Sequence, residues 1–205
     1  MLLKFVPKVG VEVIMEELNI LIVGVGGQGT LLASRILGNV ALKMNFDVKV
    51  SEVHGMSQRG GSVVTYVKFG KKVYSPLIEK GEADIILAFE KLEALRCIDQ
   101  LSKDGKMIIN EQQIDPMPVI IGRAKYPENI IETLKENNNI FSLDALKIAL
   151  ECGNIKAVNI VLIGVLAKLT GIDKEIFIEA IREVVPSKFL ELNLKAFEEG
   201  YNYHK

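Results

Sequence analysis

Three glycines after an apolar run are the first residues whose spacing suggests chemistry. Gly24, Gly26 and Gly29 form the pattern G-x-G-x-x-G between the run LNILIV and a segment with helical spacing. Glycines in such a turn let the backbone approach a ligand closely, and the free N–H groups of the following helix attract anions. The turn is therefore predicted to bind a phosphate through Gly24, Gly26, Gly27, Gln28 and Gly29. The alternative is that the glycines only let the strand and the helix pack closely.

A second polar cluster follows the next predicted strand, residues 46–53. Glu52 stands at the end of this strand, where an acid in a dinucleotide-binding domain bonds a ribose hydroxyl. In the loop HGMSQRGGS that comes next, Arg59 can pair with a carboxylate or phosphate, and two glycines can expose consecutive N–H groups to an anion. The candidate ligand-binding residues of this cluster are Glu52, His54, Ser57, Gln58, Arg59, Gly60 and Gly61.

Plainer interpretations of the second cluster stay open. A polar surface loop has this composition too, and a single histidine such as His54 is more often structural than catalytic. We nevertheless expect residues 52–61 to pack beside residues 24–29, because the carboxyl ends of adjacent parallel strands meet at one edge of a sheet. Arg59 would be the main positive charge of that crevice. No residue is assigned to bond making.

The sequence offers few groups for metal binding or covalent catalysis. It contains two cysteines, Cys97 and Cys152, and two histidines, His54 and His204, so neither an iron–sulfur cluster nor another metal site is expected in this chain. The motifs G-x-S-x-G and H-E-x-x-H and the P-loop do not occur. Cys97 has apolar neighbours in a predicted helix, which indicates a buried and unreactive thiol.

Composition places the chain among globular proteins. Of its 205 residues, 49% are apolar and 25% charged, and the net charge of −1 provides no general attraction for nucleic acid or anionic membranes. The longest apolar stretch, residues 157–172, is shorter than the roughly 20 residues of a membrane span, and residues 1–14 do not resemble a signal peptide. We therefore expect a cytoplasmic chain with an N-terminal extension over residues 1–14 and one domain over residues 15–205.

Hydrophobic periodicity in the first two-thirds of the chain predicts alternating strands and helices. Strands are predicted over residues 19–24, 46–53, 84–89 and 106–111, a β-hairpin over 62–78 turning near Gly70, and helices over 30–44, 90–102 and 127–138. Pro127 is expected in the first turn of the last helix. The fold class that follows is α/β: a Rossmann-like, parallel-containing sheet with flanking helices, a β-hairpin insertion and a helical C-terminal third.

From Ser142 onward the pattern is helical. Ser142 or Asp144 is expected to cap the first helix of this third, and Gly200 to end the last one. Between them, residues 157–169 form a helix that is apolar almost all round. Such a helix is either covered by its own domain or part of a subunit interface.

Six segments together resemble one protein family. The resemblance is carried by NILIVGVGGQGTLLASRILG, EVHGMSQRGGSVVTYVKFG, VYSPLI, GEADIILAFEKLEALR, AVNIVLIGVLAKLTG and SKFLELNLKAFEEGY. The chain resembles, over about residues 19–201, the small subunit of 2-oxoacid:ferredoxin oxidoreductases. The letters MSQ before RGG favour the beta subunit of the indolepyruvate branch over the gamma subunits of the pyruvate and 2-oxoglutarate branches.

The resemblance implies an activity shared with a partner. The reaction is the oxidative decarboxylation of an aryl 2-oxoacid with coenzyme A, which yields acyl-CoA, carbon dioxide and reduced ferredoxin. Thiamine diphosphate and [4Fe–4S] clusters are expected in a larger alpha subunit and no cofactor in this chain, so the isolated chain should be inactive. Coenzyme A is a co-substrate whose pyrophosphate would suit the glycine turn. We expect residues 157–169 and 62–78 to contact the partner, or a second copy when the chain is isolated.

Three alternative functions remain open. The chain could be the gamma subunit of a pyruvate or other 2-oxoacid oxidoreductase, which substrate preference would reveal. A stand-alone dinucleotide-binding oxidoreductase would retain its cofactor and act alone. A purely structural assembly subunit would bind its partner tightly, and changes in its glycine turn would leave turnover intact.

Overall fold

A six-stranded sheet with helices on both faces forms the framework of the chain. The computed structural model describes residues 17–54, 60–136 and 139–203. The strands are β1 (Glu17–Val25), β2 (Asp47–His54), β3 (Ser62–Gly70), β4 (Ala83–Ala88), β5 (Leu101–Asn110) and β6 (Asn139–Leu143). The helices are α1 (Thr30–Lys43), α2 (Lys91–Arg96), α3 (Met117–Ile120), α4 (Ile130–Lys135), α5 (Ala145–Glu151), α6 (Val158–Thr170), α7 (Lys174–Val184) and α8 (Leu190–Asn202). The predicted extension over residues 1–14 lies outside the described residues, and the division at residue 15 stays a prediction.

The central strand β1 is buried on both sides, as its continuous apolar run indicates. The strand order is β2-β3-β1-β4-β5-β6, and β1, β4, β5 and β6 run parallel. Ile20 and Ile22 belong to the core shared with α1 and the C-terminal helices, whereas Leu21 and Val23 belong to the core shared with α2 and α4. The predicted α/β class, with helices flanking a parallel-containing sheet, is confirmed. No helix in the described ranges has the length and apolar character needed to cross a membrane.

The antiparallel insertion lies elsewhere than predicted. Residues 62–70 form β3, but residues 71–78 form no strand, so the predicted hairpin over 62–78 is wrong. β3 pairs antiparallel with β1 on one side and with β2 on the other, so the hairpin is made by β2 and β3. With both edges of β3 occupied, residues 71–78 cannot pair with β3. The chain is held instead at the start of β2, where the Val73 N–H donates to the Asp47 carboxylate at 3.0 Å.

Two boundaries in the second half also differ from the prediction. Ser142 lies inside the five-residue strand β6 and caps no helix; Asp144 alone caps α5, where it accepts the Lys147 N–H at 2.9 Å. Such a short apolar segment carries no periodicity that separates strand from helix, and pairing with β5 decides between them. α4 begins at Ile130, so Pro127 precedes the helix and does not lie in its first turn.

The almost uniformly apolar helix α6 is covered by its own chain. All of its residues except Lys168 and Leu169 are buried, and it packs most extensively against α8. This excludes residues 157–169 as an exposed partner surface. Gly200 lies within α8, not at its end, because the helices cross at this point: a Cβ on Gly200 would lie 2.8 Å from the Val161 carbonyl carbon.

Candidate functional site

The glycine turn follows β1 and packs against Phe89, the residue after β4. Gly24 is the next-to-last residue of β1, and a Cβ there would lie 2.9 Å from Gln28 Oε1 and 3.0 Å from Phe89 Cβ, so a larger residue would displace these side chains. Gly27 has a φ of 102°, is exposed, and has open space where a side chain would lie. The turn therefore presents its backbone outward at Gly27 and packs inward at Gly24.

Gly29 directly precedes α1 as its N-cap residue and also contacts α6. Its φ of 86° is left-handed, and a Cβ there would lie 2.8 Å from Asn159 Nδ2. That amide donates to the Gly29 carbonyl at 3.3 Å, which gives the buried Asn159 one of its partners. Close helix packing thus accounts for this glycine without any ligand.

Four N–H groups of this turn and of the start of α1 have no partner within the described residues. No acceptor there takes the N–H of Gly27, Gly29, Thr30 or Leu31, and α1 has no side-chain cap. Since α1 spans 14 residues, the positive end of its dipole adds to these donors. The turn can therefore bind an oxyanion through its backbone.

The predicted contact between the two loops is present at the residues that the structure describes. The Gly26 N–H donates to the Gly61 carbonyl at 2.8 Å, and the Gly60 N–H donates to the Gly26 carbonyl at 3.4 Å. The reason differs from the one predicted: β1 and β2 are not adjacent, and the loops meet because β3 starts where β1 ends, with Val25 paired to Ser62. Ser57, Gln58 and Arg59 lie outside the described residues, and of His54 the structure describes the backbone, which ends β2.

Glu52 lies away from the glycine turn. It pairs with Thr65 of β3, which pairs with Ile22 of β1, two positions before Gly24. β3 thus separates Glu52 from β1 by a full strand spacing in addition to the one expected, and adjacent strands are about 4.8 Å apart. The strand order therefore does not support the expected adjacency of this acid to the turn, on which the dinucleotide interpretation rests, and a ligand contact of Glu52 stays a prediction.

A chain of three carboxamides ties the turn to the ends of β4 and β5. Gln28 Oε1 accepts the Val25 N–H at 2.7 Å, and Gln28 Nε2 donates to the Phe89 carbonyl at 3.0 Å and to Gln112 Oε1 at 3.2 Å. The fully buried Asn110 donates to the same two oxygens at 3.1 and 3.3 Å. Gln28 is thus bonded inside the chain, and Asn110 and Gln112 join the site although sequence reasoning did not single them out. Their position in the sequence could have indicated them, because both follow the apolar residues of a predicted parallel strand, whose carboxyl end lies at the ligand edge of such a sheet.

Two buried carboxylates, also missed, hold the segments around the site. Glu93 accepts the Ser62 hydroxyl at the start of β3 and pairs with Arg96. Glu90 caps α2 through the Glu93 N–H at 3.0 Å and accepts the Ile114 N–H at 3.1 Å and the Tyr126 hydroxyl. Burial, with the Glu90 hydrogen bond and charge, raises the pKa of Tyr126 far above its usual value, so this hydroxyl stays a donor. The E-x-x-E spacing directly after a buried strand could have indicated this capping arrangement.

The described part of the chain does not assemble a metal-binding set. No three His, Cys, Asp or Glu side chains come together there, and Cys97 and Cys152 follow two different helices, α2 and α5. Two cysteines cannot supply the four thiolates that hold an iron–sulfur cluster. The residues of this chain do not fit such a cluster, and the donor-rich edge is suited to binding oxygen atoms.

Comparison with known proteins gives a consistent result over nearly the whole chain. The sequence model of the family described as pyruvate ferredoxin/flavodoxin oxidoreductase matches residues 19–203. Indolepyruvate oxidoreductase subunit IorB of Pyrococcus horikoshii is 47% identical over 192 residues, 91% of this chain and 95% of that protein. The pyruvate/ketoisovalerate oxidoreductases common subunit gamma of Thermococcus kodakarensis is 31% identical over 87% of this chain and 92% of its own.

A solved structure has the same fold. The pyruvate oxidoreductase subunit PORC of Thermotoga maritima superposes with a TM-score of 0.70 over 91% of this chain and 96% of its own, at 22% sequence identity. The family that the motifs resemble is confirmed by both the sequence model and the relatives. This chain belongs to the pyruvate ferredoxin/flavodoxin oxidoreductase family.

Proposed function

We propose that this chain is the small subunit of an indolepyruvate:ferredoxin oxidoreductase. The observation that carries the proposal is the 47% identity to a subunit of an indolepyruvate oxidoreductase, which extends over 95% of that subunit. The alignment covers 91% of this chain, so the similarity is not confined to the glycine turn. The 31% identity to a pyruvate/ketoisovalerate subunit is lower, which makes that substrate range the second candidate.

The reaction divides between two chains. An aryl 2-oxoacid and coenzyme A yield acyl-CoA and carbon dioxide, and two ferredoxins take up the two electrons released. Thiamine diphosphate and [4Fe–4S] clusters, which supply the carbanion and electron-transfer chemistry, belong in this proposal to the larger alpha subunit. Because coenzyme A and ferredoxin are cytoplasmic molecules, we expect the complex to act there.

The part of this chain in the reaction is to bind and orient an anionic group. The N–H groups around Gly27 and the start of α1 offer hydrogen bonds to an oxyanion, and the contact between Gly26 and Gly61 holds the two loops together. The pyrophosphate of coenzyme A has the matching charge and shape. We therefore assign to this edge a contact with coenzyme A, and no bond-making step.

Co-expression with the large subunit tests the proposal. The purified complex should reduce a dye when it receives both an aryl-pyruvate and coenzyme A, and omission of either should abolish the reaction. The isolated chain should be colourless and inactive. Faster turnover with pyruvate or branched 2-oxoacids would favour the second candidate, and dye reduction by this chain alone would contradict a shared active site.

A further inference from the structure

The polarity of the carboxamide chain is set by the backbone. Asn110 Oδ1 accepts the Ala145 N–H at 3.1 Å, so this atom must be the oxygen and its Nδ2 must face Phe89 and Gln112. In the same way Gln28 Oε1 accepts the Val25 N–H, so its Nε2 faces the same two residues. Neither amide can be turned around without facing a donor with a donor.

This arrangement fixes the orientation of Gln112. Two N–H donors converge on its side chain at 3.2 and 3.3 Å, so the atom that they reach must be Oε1. Its Nε2 therefore points the opposite way, and no acceptor among the described residues takes its two hydrogens. The residue is half-buried, and its backbone carbonyl is held by the Lys91 N–H at 3.1 Å. Gln112 thus carries an unbonded donor pair on a side chain whose Oε1 contacts Gln28 of the glycine turn.

We propose that Gln112 Nε2 donates a hydrogen bond to an anionic oxygen of the molecule bound at this edge. The assignment rests on the function proposed above. An amide NH2 group only donates, so its partner must be an acceptor. Gln112 contacts Gln28 of the glycine turn, and the unpartnered N–H groups of that turn favour an acceptor with negative charge. Two molecules of the proposed reaction carry such oxygens: coenzyme A in its phosphates and the 2-oxoacid in its carboxylate.

Two substitutions separate ligand binding from support of the fold. Gln112→Glu keeps an oxygen for Asn110 and Gln28 but replaces the donor with a negatively charged oxygen, which repels an anion. Gln112→Met removes both the acceptor and the donor and adds no charge. Support of the carboxamide chain alone would make the methionine variant the worse of the two in every measurement. A ligand contact makes the glutamate variant worse in KM, although its melting temperature is the higher one.

The measurement is steady-state kinetics of the complex with the large subunit. We expect Gln112→Glu to raise one KM roughly ten- to a hundredfold with kcat little changed, and Gln112→Met to raise the same KM less. A rise in the KM for coenzyme A identifies its phosphates as the partner, and a rise in the KM for the 2-oxoacid identifies its carboxylate. Gln113→Glu is the control, because it adds the same charge one residue away, where the side chain is exposed and bonds Asp115.

Each outcome decides the assignment. Unchanged KM values for both substrates in an active Gln112→Glu complex would overturn it, and so would an equal effect of Gln113→Glu. A larger KM effect in the methionine variant than in the glutamate variant would reduce Gln112 to a structural role. A wild-type complex without activity towards any 2-oxoacid would instead overturn the proposed function, and this assignment with it.

Discussion

Gln28 has every polar atom of its side chain bonded inside the chain, and it joins the glycine turn to β4 and to Gln112. The residue therefore acts on the ligand edge by shaping it. Among the described residues of this edge, the groups without a partner are backbone N–H groups and the amide nitrogen of Gln112, so we expect single side-chain substitutions to have separable effects on stability and on binding.

We predict that Gln28→Ala lowers the free energy of unfolding by about 1–3 kcal/mol, because it leaves the Val25 N–H and the Phe89 carbonyl with fewer partners. Urea denaturation of the isolated chain measures the loss. Gln113→Ala, which removes an exposed amide close by, should stay within about 0.5 kcal/mol of wild type. Equal stabilities of the two variants would show that the turn does not depend on Gln28.

The thiol of Cys97 should react slowly. Burial, followed by the charges of Glu93 and Asp99, raises its pKa from 9.0 to about 11. The thiolate is the reactive form, so at pH 8 its population is about a hundredfold below that of an ordinary thiol, and the alkylation rate should keep rising as the pH approaches 11.

Iodoacetamide labelling of the Cys152→Ser chain measures this rate, because Cys97 is then the only thiol. The same chain in urea serves as the reference, since unfolding removes the burial. Rapid labelling of the folded chain at pH 8, or a rate that levels off near pH 9, would contradict the prediction.

At the scale of elements, the crossing of α6 and α8 depends on two glycines. A Cβ on Gly164 would lie 2.7 Å from the Tyr201 nitrogen, and one on Gly200 would lie 2.8 Å from the Val161 carbonyl carbon. Backbone on both sides cannot move aside as a flexible side chain can. The two helices therefore approach each other as closely as their main chains allow.

We predict that Gly164→Ala and Gly200→Ala each lower the free energy of unfolding by about 3 kcal/mol or more. This steric cost outweighs the gain from the higher helix propensity of alanine. Gly38→Ala in α1 is the matched control: it has open space around it, and alanine there should stabilise the chain by about 0.5–1 kcal/mol. Thermal or urea unfolding measures all three. A stabilising effect at Gly164 or Gly200 would mean that the helices lie farther apart.

At the scale of the whole molecule, the burial of α6 leaves residues 62–78 as the predicted partner surface. Tyr74 and Leu77 keep 82% and 58% of their accessible surface, in a segment that pairs with no strand. Large exposed apolar side chains of this kind often contribute most to a protein interface.

We predict that the double substitution Tyr74→Ser and Leu77→Ser weakens co-purification with the large subunit at least tenfold and leaves the melting temperature unchanged, because neither side chain is in the core. Leu42→Ser is the control, since this leucine is 60% exposed at the end of α1, in another part of the molecule. Normal assembly of the double variant would place the interface elsewhere. Equal loss with Leu42→Ser would indicate a general effect of apolar exposure.

The sequence by itself determined the α/β class, β1, the glycine turn, α1 and the buried nature of α6, because each rests on local signals: apolar period, run length and glycine spacing. The family, too, is identified by segments of the amino-acid sequence alone, which extend over nearly the whole chain. The structure agrees with the predictions of these elements because residues close together in the sequence determine them.

Only the tertiary structure decided which strand lies beside β1, and this controls the site. The insertion of β3 moved Glu52 away from the turn and brought Gly60 and Gly61 to Gly26. The packing of segments that are distant in the sequence also brings Gln112 within hydrogen-bonding distance of Gln28 and Asn110. The physical reason is that strand order and side-chain polarity depend on contacts between residues far apart in the chain, for which local periodicity carries no information.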